Sequence, residues 1–293
     1  MRIVSLLPSA TEICFALGGG DDVVGVTFEC DYPADARGRR IVSTTALPAG
    51  LTPGEIDAVV RRKVAAGEDL YHLDAGALRE LAPDVVITQD LCAVCAIDVD
   101  EVSEALDYLG CRAEVVTTDP HTLDEVLTSI ETIAKAINRE AASLVGSLRA
   151  RLERLGPRPE DDGARQQNGL PRVALLEWTD PPFAPGHWLP EMVTLAGGTG
   201  VLGSAGARST AITWEEVAAG RPDVVVSAPC GFDLDGAAKL TAELLPRLPA
   251  DVPVWAVDAN GYFARPGPRL VDGIEVLAAI LRGGDPDHAI RLR

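Results

Sequence analysis

The sequence predicts an α/β fold of two Rossmann-like lobes, each with a mostly parallel sheet, joined by one long α-helix. Three observations lead there. Short apolar runs of strand length alternate with capped segments of helical period, the grammar of a doubly wound sheet. A helix end, a turn and a buried strand occur twice in similar wording, as Leu81-Ala82-Pro83-Asp84-Val85-Val86-Ile87 and Gly220-Arg221-Pro222-Asp223-Val224-Val225-Val226. Between the halves, Val126, Ile130, Ile133, Ile137, Leu144, Leu148 and Leu152 recur at helical spacing. The expected division is a lobe over 1–120, a connecting helix over 121–156, a flexible loop over 157–171 and a second lobe over 172–293.

The elements follow in order. Residues 3–7 read as a buried strand. Pro8-Ser9-Ala10-Thr11-Glu12 then opens a helix that stops at Gly18-Gly19-Gly20, with Glu12 serving the helix N-terminus. Residues 23–26 and 41–43 are short strands. The helix over 51–66 starts with the capping box Thr52/Glu55. A helix ends over 78–81, a strand follows at 84–88, a helix at 102–109 and a strand at 113–116. Thr122 and Glu125 form a second capping box at the head of the connecting helix. Residues 156–170 carry Pro, Gly, Asp, Gln and Asn without periodicity and read as an exposed loop. The second half has strands at 172–176, 223–227 and 254–257. Its helices lie at 189–196, at 214–219 behind Thr213/Glu216, and at 270–281.

Composition narrows the function. The chain has 293 residues, 47% hydrophobic, enough for two cores. A net charge of −18 sets it against nucleic acid, whose phosphates it would repel. No apolar run is long enough to span a bilayer. After Met1-Arg2 comes Ile3-Val4-Ser5-Leu6-Leu7-Pro8, too short for a secretory core segment. The expectation is a cytoplasmic monomer as the chain stands, or an extracytoplasmic protein if a leader has been removed.

Ligands of open parallel sheets bind outside the carboxyl ends of the strands. Those positions hold Thr27-Phe28-Glu29-Cys30-Asp31-Tyr32-Pro33, Gln89-Asp90-Leu91-Cys92-Ala93-Val94-Cys95, Glu177-Trp178-Thr179-Asp180-Pro181-Pro182-Phe183, Gly186-His187-Trp188, Ala228-Pro229-Cys230-Gly231-Phe232 and Asp258-Ala259-Asn260-Gly261-Tyr262-Phe263-Ala264-Arg265. Only 4% of the residues are aromatic, and most of them fall here. If the lobes face each other, these loops line one cleft rich in rings and thiols. The candidate ligand contacts are therefore Phe28, Cys30, Tyr32, Asp90, Cys92, Trp178, Trp188, Phe232, Asn260, Tyr262, Phe263 and Arg265. Ordinary packing is the competing reading for the rings. Arg265 either binds an anionic ligand edge or pairs with an acidic neighbour.

An ordered set of motifs adds a family. Leu6-Leu7-Pro8-Ser9-Ala10-Thr11-Glu12, Asp31-Tyr32-Pro33, Pro181-Pro182-Phe183 and Asn260-Gly261-Tyr262-Phe263-Ala264-Arg265-Pro266-Gly267-Pro268-Arg269 resemble the cobalamin-binding, substrate-binding proteins of ABC importers. The resemblance spans nearly the whole chain. It implies two lobes joined by a rigid helix, with a corrinoid, or another metal chelate such as haem or a siderophore, held between them. It also implies an ABC permease as partner, docked through one acidic residue on each lobe. The best-matching positions are Glu101 and Glu215, for which a solvated helix face is the plainer reading.

The thiols are a separate signal. Of six cysteines, Cys14 and Cys111 lie in apolar segments as core thiols. Cys30, Cys92, Cys95 and Cys230 each follow a strand, and their expected role is a thiolate-bound metal, a thiol on a chelated metal, or a Cys92–Cys95 disulfide. The alternative is small residues filling tight turns. His187 is a rim residue or a ligand, whereas His72, His121 and His288 lie outside the loops named above. Two other functions stay open: a two-lobed chelatase-like enzyme, and a cytosolic thiol-based metal or redox sensor. No phosphate loop, nucleophile elbow or paired-histidine helix is present to favour catalysis.

Overall fold

The computed structural model describes residues 1–89, 113–155 and 169–293. The chain forms two compact units, Met1–Pro120 with Asp124–Gly146, and His121–Leu123 with Ser147–Arg293. The expected helix over 102–109 and most of the expected loop over 157–171 lie outside the described residues.

The first unit is built on β1 (Ile3–Ser5), β2 (Val23–Thr27), β3 (Arg40–Thr45), β4 (Tyr71–Leu73), β5 (Val85–Gln89) and β6 (Glu114–Thr118). Their order is β4-β3-β2-β1-β5-β6, parallel except for β4. Helix α1 (Pro8–Ala16) joins β1 to β2, α2 (Pro53–Ala66) joins β3 to β4, and α3 (Ala75–Leu81) joins β4 to β5. The predicted capping box of α2 is present, with the Thr52 amide donating to Glu55 at 2.8 Å. One core contains Val4, Leu6, Val42, Leu78 and Val86.

The second unit has β7 (Arg172–Leu176), β8 (Trp178–Thr179), β9 (Pro182–Ala184), β10 (Thr199–Gly200), β11 (Thr210–Ala211), β12 (Val224–Ser227), β13 (Val254–Val257) and β14 (Ala289–Arg291). Its main sheet runs β10-β7-β12-β13-β14, parallel except for β14, and β11-β9-β8 form a small antiparallel sheet. Ala174, Leu176, Val217, Val225 and Val254 belong to its core.

The repeated Pro-Asp phrases perform the same task twice. Ala82 and Arg221 end their helices in the left-handed region, at φ 41° and 43°, and the proline that follows prevents continuation. Asp84 then accepts the Arg2 amide at 2.7 Å, and Asp223 accepts the Arg172 amide at 2.8 Å. Each aspartate thus fixes the start of the central strand beside it. The two-unit α/β architecture read from the sequence holds at this level of detail.

The connection differs from expectation. A single helix over 121–156 is replaced by two, α4 (Leu123–Ala136) and α5 (Ala142–Leu155). Asn138 sits at φ 52°, and the Arg139 amide reaches back to the Ala134 carbonyl at 2.8 Å. That back-bond closes a helix C-terminus. Arg139 also binds Asp22 at 2.7 Å, which holds the break against the first unit. Helix α5 begins in the first unit and ends in the second. There Arg151 pairs with Asp272 and Glu275 of the last helix, which raises its pKa.

The remaining helices are α6 (Leu189–Leu195), α7 (Trp214–Ala219), α8 (Leu234–Leu244), α9 (Ala259–Tyr262) and α10 (Leu270–Leu281). Helix α8, capped by Asp233 on the Gly236 amide at 2.9 Å, was not among the predicted elements.

Candidate ligand-binding site

Sheet order says where a ligand fits. In the first unit the connections reverse direction between β1 and β5, and in the second between β7 and β12. The carboxyl ends at such reversals leave a crevice that crossover helices do not fill.

In the first unit, the segment after β2 carries two of the larger exposed rings, Phe28 at 39% and Tyr32 at 48% exposure. Such rings lose apolar contact with water only when something covers them. Phe28 leans on Tyr71, with centroids 6.4 Å apart. Cys30, between them in sequence, is buried, and its sulfur lies 3.0 Å from Thr11 Oγ1 of α1. Thr11 in turn donates to Ser5 Oγ at 2.9 Å. Cys14 is fully buried, and burial, with Cys30 and Asp22 adding to it, pushes its thiol up to about 12, as expected of a core thiol. Asp90, Cys92, Cys95 and Glu101 lie outside the described residues.

In the second unit, the reversal brings predicted residues together. The Ala228 amide donates to the Leu176 carbonyl at 2.8 Å, and the Cys230 amide to the Glu177 carbonyl at 3.1 Å. This seats the turn after β12 against the end of β7. Trp178 and Phe232 consequently meet with centroids 5.8 Å apart at 50°, both half-buried. The Asn260 amide donates to the Phe232 carbonyl at 2.9 Å, which adds the loop after β13 to the same place. Asp258 caps that loop's short helix through the Gly261 amide at 2.9 Å.

Other predicted residues serve the framework. Trp188 and Phe263 are 5% and 1% exposed, and the Trp188 indole donates to the Phe263 carbonyl at 2.8 Å. They hold the loops from within. Tyr262 is half-buried, stacked on His288 with its hydroxyl 3.1 Å from Nε2, while Arg269 lies 5.3 Å over its ring. Burial raises the Tyr262 pKa, with the positive Arg269 acting against it. Arg265 is buried at 8% exposure. Glu215 is exposed in the first turn of α7, beside Glu216, which is engaged in the capping box with Thr213.

Of the four thiols proposed for a metal, Cys30 belongs to the first unit and Cys230 to the second. Among the described residues no group of three or more His, Cys, Asp or Glu side chains is arranged to hold a metal ion, and no helix is long and apolar enough to cross a membrane. Sequence reasoning left out His121, which the fold sets beside His187 at 5.5 Å between ring centroids. No local signal marks that pair, because the two residues meet only through tertiary structure.

No family model matches the chain. It is similar to the vitamin B12-binding protein of Vibrio cholerae, 25% identical over 284 residues that cover 96% of this chain and 89% of that protein. It is also similar to the vitamin B12-binding protein of Yersinia pestis, at 26% identity over 276 residues, 92% of this chain and 82% of the other. Among solved structures, the periplasmic heme-binding protein RhuT of Roseiflexus sp. RS-1 superimposes with a TM-score of 0.67 at 22% identity, covering 96% of this chain and 98% of that one. The periplasmic vitamin B12 binding protein BtuF of Vibrio cholerae gives a TM-score of 0.60 at 22% identity, covering 96% of both chains. These likenesses bear out the resemblance read from the motifs, and the structures fix the fold. They also correct one expectation. A cytoplasmic location does not stand, because the similar structures are of proteins named as periplasmic. The chain has the fold of these periplasmic binding proteins and, along nearly its whole length, sequence similarity to vitamin B12-binding proteins.

Proposed function

We propose that this chain is the substrate-binding protein of an ABC importer and that its cargo is a corrinoid of the cobalamin type. The observation that carries the reading is the likeness to vitamin B12-binding proteins over 96% of the chain. The rings at the carboxyl ends of the two sheets support it. Within the second unit, Trp178 with Phe232 offers apolar faces to a large, flat, amide-fringed ligand; within the first, Phe28 and Tyr32 are exposed rings after β2. Asn260, whose amide donates to the Phe232 carbonyl, supplies a polar group beside the ring pair. Binding without catalysis fits the relatives, which are named as binding proteins. Haem is the competing cargo, since some similar structures are of proteins named for heme.

Calorimetric titration with cyanocobalamin, cobinamide and haemin tests the proposal. A single site for the corrinoids, tighter than for haemin, supports it. Saturable binding of haemin alone replaces the cargo, and no binding of any of the three refutes the reading. For the permease, Glu215, exposed in the first turn of α7, is the docking position proposed on the second unit. Charge reversal at Glu101 and Glu215 together, with uptake intact, would refute that role.

A further inference from the structure

We infer that His121 and His187 form a two-imidazole site for one divalent transition-metal ion, separate from the cysteines and independent of the cargo. Both residues belong to the second unit. His121 precedes α4 and His187 precedes α6, far apart in sequence. They are brought together by Glu191 of α6, whose carboxylate accepts the Leu123 amide at 2.7 Å. That bond pins the segment 121–123 against the start of α6.

His187 is fixed just as firmly. Its backbone is left-handed, at φ 50°. Its amide donates to the Ala207 carbonyl at 2.6 Å, and its carbonyl accepts the Gly206 amide at 3.0 Å. A Cβ on Gly186, the residue before it, would stand 2.4 Å from the Ser209 amide nitrogen, so this backbone can lie so close only with glycine there. A non-glycine residue in the left-handed region is uncommon and is held there by its neighbours.

The spacing suits chelation. Metal–nitrogen bonds of about 2.0–2.1 Å put an imidazole centroid about 3.2 Å from a zinc ion, so two rings at a tetrahedral angle stand about 5.2 Å apart. The observed separation is 5.5 Å, and the rings are inclined at 40° instead of stacked flat. Both side chains are half-buried, which constrains the ring directions, and Nε2 of His187 is itself buried. Each histidine also takes part in a further interaction. Metal-binding histidines usually have one ring nitrogen engaged by a neighbouring group while the other binds the ion. Trp188, 5.7 Å from the His187 ring, shields one side. Two protein ligands leave open positions for water, and the net charge of −18 favours any cation. Imidazole selects for cobalt, nickel, copper and zinc over magnesium and calcium.

The test uses Co²⁺ alone as a spectroscopic probe on the full chain, followed by Zn²⁺ calorimetry. The expected result is one equivalent of Co²⁺ with ligand-field bands and no thiolate-to-cobalt charge-transfer band. His121→Ala and His187→Asn should each weaken Zn²⁺ binding by more than about tenfold, while Cys92→Ser with Cys95→Ser leaves it unchanged. Asparagine tolerates the left-handed backbone and removes the imidazole, so the second variant should remain folded. Equal affinity in both histidine variants, a charge-transfer band that disappears with the cysteine substitutions, or no stoichiometric binding would each overturn the proposal. Cobalamin binding is measured in parallel. Its loss or retention does not bear on the metal site, so the two proposals can fail separately.

Discussion

Removing the Trp178 ring separates a binding surface from a packing residue. Trp178 is half-buried, and its principal ring contact is Phe232 at 5.8 Å. The indole nitrogen donates to the Asp180 carbonyl at 3.2 Å, which orients the ring without enclosing it. Trp178→Ala therefore forfeits a tilted ring pair worth about 0.5–1.5 kcal/mol to the fold. If the ring is a ligand anchor, the loss in binding is about 1–3 kcal/mol. At about 1.4 kcal/mol per tenfold, that raises Kd roughly five- to 150-fold. Trp188 is the control. It is 5% exposed and bonded to the Phe263 carbonyl, so Trp188→Ala should cost about 3–5 kcal/mol of stability by emptying a core site. The assays are cyanocobalamin calorimetry and thermal melting on both variants. A Trp178→Ala protein with wild-type affinity refutes the assignment, whatever its melting temperature. An unchanged melting temperature in Trp188→Ala refutes the framework role.

Three further outcomes follow from the geometry. Asp84→Ala and Asp223→Ala each remove a carboxylate from the amide at the start of a central strand, and each should lower stability by about 1 kcal/mol, nearly equally, in chemical denaturation. Gly186→Ala forces a Cβ to within 2.4–2.5 Å of backbone atoms of Ser209 and Ala207, and overpacking of about 1–3 kcal/mol should appear as a lower melting temperature. The Cys14 thiol, pushed up to about 12 by burial, stays protonated at pH 8 and should resist iodoacetamide in the folded protein, whereas the partly exposed Cys230 reacts; mass spectrometry reads both.

Much of the architecture was legible because local chemistry and tertiary role coincide. The Thr52/Glu55 and Thr213/Glu216 boxes mark helix starts that form as written. Gly18 and Gly197, both at positive φ, end helices where glycine signals an end. The break at Asn138 was missed because asparagine performs the glycine's task. The apolar stripe also conceals it, since Ile137 and Val145 are both buried on either side. Edge strands β4 and β14 are three residues each, too short for a period to show.

The candidate site was legible as a set of loops and not as a set of directions. Trp178 and Trp188 have similar neighbourhoods in sequence, yet one is half-buried against Phe232 and the other lies inside the unit. Which way a loop ring turns depends on distant partners such as the Phe263 carbonyl, 75 residues away. The same holds for Cys30, whose place beside Thr11 is set by the packing of α1 on the sheet. The segment that carries His121 is held by Glu191, 68 residues from the amide it caps.

The central claim is that the chain carries a corrinoid, and equilibrium binding of cyanocobalamin to the purified protein tests it most directly. The account predicts saturation at one equivalent per chain, with Trp178→Ala weakening the same isotherm and haemin failing to displace the bound corrinoid. A featureless titration of folded protein at concentrations well above the micromolar range would contradict it.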